Sequence, residues 1–144
     1  MPKAHLILVV EDEYLLVLPI EDALIAAGFE TVSVGSAEEA TFLLDCAPGK
    51  YSALVTHVDL RSHSDGWQLA RRARQLDPDF PIVYMTGASL KDWSMNGVPD
   101  SVFLHKPFQP RELVNALSGL LTKVRLHPGE GVIVQGAIAT SAQA

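Results

Sequence analysis

Five short apolar runs, separated by stretches with helical spacing, constrain this chain more than any other feature. They are His5–Val10, Thr31–Val34, Ala53–Val58, Pro81–Met85 and Ser101–Leu104. Each is rich in β-branched residues and lacks a clean polar alternation, which is how strands buried on both faces of a parallel sheet read. Between them, Tyr14–Ala27 closes at Gly28, a helix C-cap signal. Ser36-Ala-Glu-Glu39 fits a capping box, followed by Ala40, Leu43 and Leu44 on one face. Asp65–Leu76 sets Leu69, Ala73 and Leu76 on one side. The helix after Pro110 carries Leu113, Leu117, Leu120, Leu121 and Val124, and proline suits a first helical position. Ser89–Gly97 is weakly periodic and predicts a short or irregular fourth helix. Strands alternating with helices through right-handed crossovers predict an α/β, doubly wound parallel sheet with helices on both faces. One local conflict is Pro19, which removes a hydrogen bond inside the first helix and predicts a kink costing ~3 kcal/mol.

Composition sets the outer bounds. A chain of 144 residues, 48% hydrophobic and 19% charged, fits one domain with a full core and excludes disorder over most of its length. No apolar run approaches the ~18 residues of a membrane span, and LILVV near the N-terminus is too short for a secretory signal. The single cysteine, Cys46, makes no internal disulfide, so a cytoplasmic location is expected. A net charge of −6 argues against an extended nucleic-acid surface. The domain is expected over residues 1–124. His127-Pro-Gly129 stops the last helix, and the tail, 125–144, reads as mobile, with Val132-Ile-Val134 able to dock on the body.

Ligands of open parallel sheets sit outside the carboxyl ends of the strands. There the sequence supplies Glu11, Asp12 and Glu13 after the first strand, His57 at the end of the third and then Asp59, Thr86-Gly87 after the fourth and His105-Lys106-Pro107 after the fifth. No glycines follow the first strand, so a phosphate-cradling nucleotide loop is excluded. Adjacent carboxylates repel, and a hard divalent cation such as magnesium relieves them. Glu11 and Asp12 are the candidates for that pocket, with Glu13 capping the helix that follows.

Four strings in order, VVEDE at 9–13, DGWQLARRAR at 65–74, YMTG at 84–87 and HKPF at 105–108, resemble the receiver domain of bacterial response regulators. The resemblance covers about residues 4–124. It implies a flavodoxin-like fold of five parallel strands in order 2-1-3-4-5. Glu11 and Asp12 would be the acid pair for magnesium, Thr86 the hydroxyl that senses a phosphoryl group, and Lys106 the ammonium that pairs with it. Phe103 falls at the aromatic switch position, and the Lys106–Pro107 peptide is expected to be cis. The implied role is signalling in a two-component or phosphorelay system, not catalysis. The partners would be a sensor histidine kinase or another signalling protein, met through the fourth helix, fifth strand and fifth helix, a surface that also suits a homodimer.

One position departs from the pattern. Receivers accept a phosphoryl group on an aspartate at the end of the third strand, and Ala53-Leu-Val-Thr-His57 puts a histidine there, in a register supported by Asp65-Gly66. An imidazole cannot form an acyl phosphate, and one anionic magnesium ligand is lost. The leading expectation is a stand-alone receiver that signals without phosphorylation. The alternatives are Asp59 as a displaced acceptor and metal ligand, His57 as a phosphorylated residue or a transition-metal ligand, and a small metal-dependent hydrolase using Glu11, Asp12, His57 and Lys106. A protonated His57 between the two acids would supply the positive charge that magnesium otherwise brings. The remaining conspicuous residues read as structure: His105 as a strand end, His63 as solvated loop, Trp67 and Trp93 as packing, and Arg71, Arg72 and Arg74 as a charged helix face.

Overall fold

Successive strand residues face opposite sides of a sheet, and here each side meets its own set of helices. The computed structural model describes residues 4–60, 65–87, 90–123, 132–134 and 137–139. The elements run β1 (Leu6–Val10), α1 (Tyr14–Ala26), β2 (Glu30–Val34), α2 (Ala37–Cys46), β3 (Ala53–His57), α3 (Gly66–Leu76), β4 (Ile82–Thr86), α4 (Leu90–Asn96), β5 (Val102–His105), α5 (Pro110–Lys123), β6 (Val132–Val134) and β7 (Ala137–Ala139). The first five strands are parallel in the order β2-β1-β3-β4-β5. Leu8, Val10, Leu54, Tyr84 and Phe103 build one core with α2 and α3. Their neighbours Ile7, Val9, Val55, Val83, Met85 and Leu104 build a second with Ile20 and Leu24 of α1 and Leu113, Leu117 and Leu120 of α5.

Local signals act largely as the sequence predicts. Gly28 takes φ of 96° just past α1, where a side chain would be strained. The Ser36 hydroxyl accepts from the Glu39 N–H at 3.1 Å, one half of a capping box. A complete box stands at α3, where Asp65 Oδ1 accepts from Gln68 N–H and Gln68 Oε1 from Asp65 N–H. Glu13 holds the N-cap position of α1 without a side-chain cap bond. The fourth helix is short, seven residues. α1 runs continuously through Pro19; the proline and Leu15, whose carbonyl it orphans, are both exposed, so water can take that carbonyl. His63 and Val124 lie outside the described residues.

The tail is the main correction. Instead of remaining a mobile extension throughout, residues 132–134 and 137–139 extend the sheet, so that it has seven strands, ending β5-β7-β6. β7 lies antiparallel on β5, with Phe103 opposite Ile138, and β6 pairs antiparallel with β7. Val132-Ile-Val134 itself reaches the body only indirectly, through β7. The β5 edge expected to serve a homodimer is occupied by the chain itself. The parallel strands read as apolar runs because both their faces are buried. β6 and β7 are apolar as well, but at three residues each they are shorter than the parallel runs.

Candidate functional site

The parallel sheet brings the ends of β1, β3, β4 and β5 to one edge. The Glu11 N–H donates to the Val34 carbonyl at 3.1 Å, which fixes the first residue after β1 against β2. His57 closes β3 opposite Met85 of β4. The backbone there is crowded from the other side by α3. A Cβ on Gly66 would lie 2.5 Å from the His57 carbonyl oxygen and 2.9 Å from Val58 Cα, so only glycine allows this approach. The Gly66 N–H donates to the Val58 carbonyl at 2.9 Å and closes the contact.

An imidazole, an ammonium and a backbone amide meet at Glu11, whose side chain is fully buried. Its Oε2 lies 3.0 Å from His57 Nδ1 and accepts from the Asp12 N–H at 3.1 Å. Its Oε1 accepts from Lys106 Nζ at 3.1 Å. Asp12 Oδ1 stands 3.8 Å from the same Nδ1. Burial pushes the Glu11 carboxyl up, but His57 and Lys106 beside it more than offset that, holding it below its ordinary value of 4.5. His57 Nδ1 itself is buried and hydrogen-bonds to nothing: Oε2 is near but off the line a ring N–H would need. Glu11, Asp12 and His57 each present one ligand atom, all within 4.8 Å of one another, a group that could hold a cation.

The other predicted residues divide. Thr86 ends β4 fully buried, and its carbonyl accepts the Lys106 N–H at 2.9 Å, which aims the Lys106 chain at the pocket. The Lys106–Pro107 peptide is cis. Phe103 is buried on β5, its ring 5.8 Å from that of Trp93. Asp59 does not join the cluster. It is exposed, because β3 ends at His57 and the strand alternation that would have aligned the two side chains ends with it. His105 is an exposed strand end.

A family model described as the response regulator receiver domain matches residues 7–118. The chain belongs to that family. The receiver is 32% identical over 117 residues to the response regulator receiver protein CpdR of Brucella abortus, covering 80% of this chain and 95% of CpdR. It is 31% identical over 129 residues to the phosphate regulon transcriptional regulatory protein PhoB of Pseudomonas aeruginosa, covering 86% of this chain but only 54% of PhoB. Among solved structures it resembles a response regulator receiver protein from Sinorhizobium medicae, with a TM-score of 0.81 and 40% identity over 85% of this chain and 98% of that one. The five parallel strands and their order are those of this family. Among the described residues no helix is long and apolar enough to cross a membrane.

Sequence reasoning missed two supports of this receiver's site. Gly66 entered only as a marker of register, whereas its missing side chain lets α3 seat against His57. Arg74 was read as part of a charged helix face, but its guanidinium turns inward to the carbonyls of Phe80, Pro99 and Asp100, pinning the loop before β5. Under that loop Tyr84 Oη accepts from the Val98 N–H at 3.1 Å, and Trp93 Nε1 donates to Ser101 Oγ at 3.1 Å. Helical periodicity assigns a long charged residue to the outside, and only the carbonyls of a distant loop make the inward turn favourable.

Proposed function

We propose that this receiver signals without accepting a phosphoryl group, working through contacts with other proteins of a two-component or phosphorelay system. The observation that carries this reading is the ion set at Glu11. The residue closing β3 is an imidazole that cannot form an acyl phosphate, and the Lys106 ammonium is bonded to Glu11. In receivers generally, that ammonium pairs with the phosphoryl group. Here that ammonium already has a partner within the chain.

The donor set also departs from magnesium chemistry. Magnesium takes oxygen ligands in near-octahedral geometry, whereas one of the three converging atoms is a ring nitrogen and one Glu11 oxygen is held by Lys106. A protein partner is supported by the surface next to the pocket. Tyr14 (73% exposed), Leu15 (80%) and Leu18 lie open on α1, which begins two residues after Asp12. Clustered apolar exposure of that kind marks interaction sites.

The test is incubation with a small phosphodonor and magnesium, followed by intact mass measurement. No mass gain is expected. A gain lost in Asp59→Ala would establish a displaced acceptor, and an acid-labile, base-stable gain lost in His57→Gln would establish phosphohistidine. Either result overturns the reading.

A further inference from the structure

We infer that the pocket formed by Glu11, Asp12 and His57 is a site for a borderline transition-metal dication of the zinc class, which it takes in preference to magnesium. The inference deepens the reading above, since it rests on His57 standing where a receiver's carboxylate would be. Four observations converge on it.

The first is the donor set, one imidazole and two carboxylates. Imidazole nitrogen suits zinc, copper, iron and nickel, while magnesium is served by carboxylate, carbonyl and water oxygens. The second is spacing. Nitrogen and oxygen ligands stand ~2.0–2.2 Å from zinc, so two ligands of one ion are about 3 Å apart at a right angle and about 4 Å when nearly opposed. The separations from Nδ1, 3.0 Å to Glu11 and 3.8 Å to Asp12, fall within that span.

The third observation is the unpartnered ring nitrogen. Buried polar atoms almost always have a partner. Nδ1 has none although Glu11 Oε2 is 3.0 Å away, because the oxygen lies off the donor line. A ring nitrogen and two carboxylate oxygens converge here, an arrangement that a shared cation satisfies. The fourth is access. The side chains of Asp12 and His57 retain 10% and 13% of their exposure, so one side of the pocket reaches solvent and leaves positions for water. Lys106 opposes any cation, but it is bonded to the other Glu11 oxygen and acts on every dication alike. Selectivity therefore comes from the nitrogen and not from charge.

The experiment is calorimetric titration of the full chain with zinc chloride, alone and in competition with magnesium chloride, together with the visible absorption of cobalt(II) as a probe of nitrogen and oxygen ligation. The expected result is one zinc site per chain that about a hundredfold excess of magnesium does not displace. In His57→Gln and in Asp12→Asn zinc binding should weaken at least about tenfold, as metal sites do even when only a supporting group is lost, and the cobalt bands should disappear. His57→Asp should reverse the preference and restore magnesium binding. His105→Gln should change nothing. Zinc binding unaltered in both His57→Gln and Asp12→Asn would overturn the inference, as would magnesium competing at equal concentration. The two readings fail separately. A phosphoryl mass gain refutes signalling without phosphorylation whatever the zinc titration shows, and a failed zinc titration leaves the covalent test untouched.

Discussion

Replacing Lys106 by methionine removes the ammonium from Glu11 while keeping most of the side-chain volume. The magnitude follows from what is left behind. Stripping a buried ion pair of one partner costs about 3–5 kcal/mol when the remaining charge is uncompensated. Glu11 would keep His57 Nδ1 at 3.0 Å and the Asp12 N–H at 3.1 Å, and the Lys106 side chain is 27% exposed. The loss is therefore nearer that of one hydrogen bond to a charged group, about 1.5–3 kcal/mol at neutral pH. The pH dependence fixes the cause. Glu11 titrates below its ordinary 4.5 in the folded chain, so the charged pocket contributes stability above the unfolded value and loses it as pH falls through the folded one. Without Lys106, burial is less opposed and the Glu11 carboxyl rises. The gap between the two proteins should thus be full at pH 7 and narrow on acidification, between the variant's raised value and the lowered one of the parent. Urea unfolding followed by tryptophan fluorescence between pH 7 and pH 4, with unchanged slopes, gives both numbers. A loss under about 0.5 kcal/mol, within what surface substitutions cost, would refute the ion set at Glu11. So would a gap that stays constant or widens as pH falls.

Gly66→Ala should cost about 1–3 kcal/mol by overpacking, since its Cβ would meet His57 backbone at 2.5 Å; urea unfolding that matches the parent would contradict the close approach. Arg74→Met should lose about 1–3 kcal/mol through the orphaned carbonyls of Phe80 and Pro99, and hydrogen exchange should quicken in residues 97–101. Tyr84→Phe should cost a similar amount, about 1–3 kcal/mol, by leaving the buried Val98 N–H unpaired. In the parent, an ultraviolet titration should show one tyrosine ionising late, because burial pushes Tyr84 up to about 12.

The five parallel strands were legible because burial on both faces leaves an unbroken apolar record, and the ends of those runs, within a residue or two, drew attention to Glu11, His57, Thr86 and Lys106. The placement of His57 was legible for the same reason. What it touches was not. Whether Lys106 bonds a group on β3 or one after β1 depends on which carboxylate is present and how deep it lies, neither of which a linear pattern encodes. That Asp59 stands apart from the cluster was not legible, because it depends on β3 ending at His57, which an apolar run does not mark to the residue. Arg74 was misread because a helix face says where a side chain begins, not where a long one ends. The pairing of the tail was not legible because its apolar stretches, Val132–Val134 and Ala137–Ala139, are only three residues each and name no partner strand.

The pairing of β7 on β5 also determines how the molecule meets its own copies. A sheet edge is a template for further strands, and proteins protect edges by keeping them short or covered. The apolar strand Val102–His105 would otherwise offer an open backbone edge; the antiparallel ribbon covers Val102, Phe103 and Leu104 and leaves a three-residue strand outermost. Shortening the chain ahead of Val132 would therefore expose an adhesive seam. The ribbon serves as a guard against strand-to-strand aggregation as much as an extension of the fold.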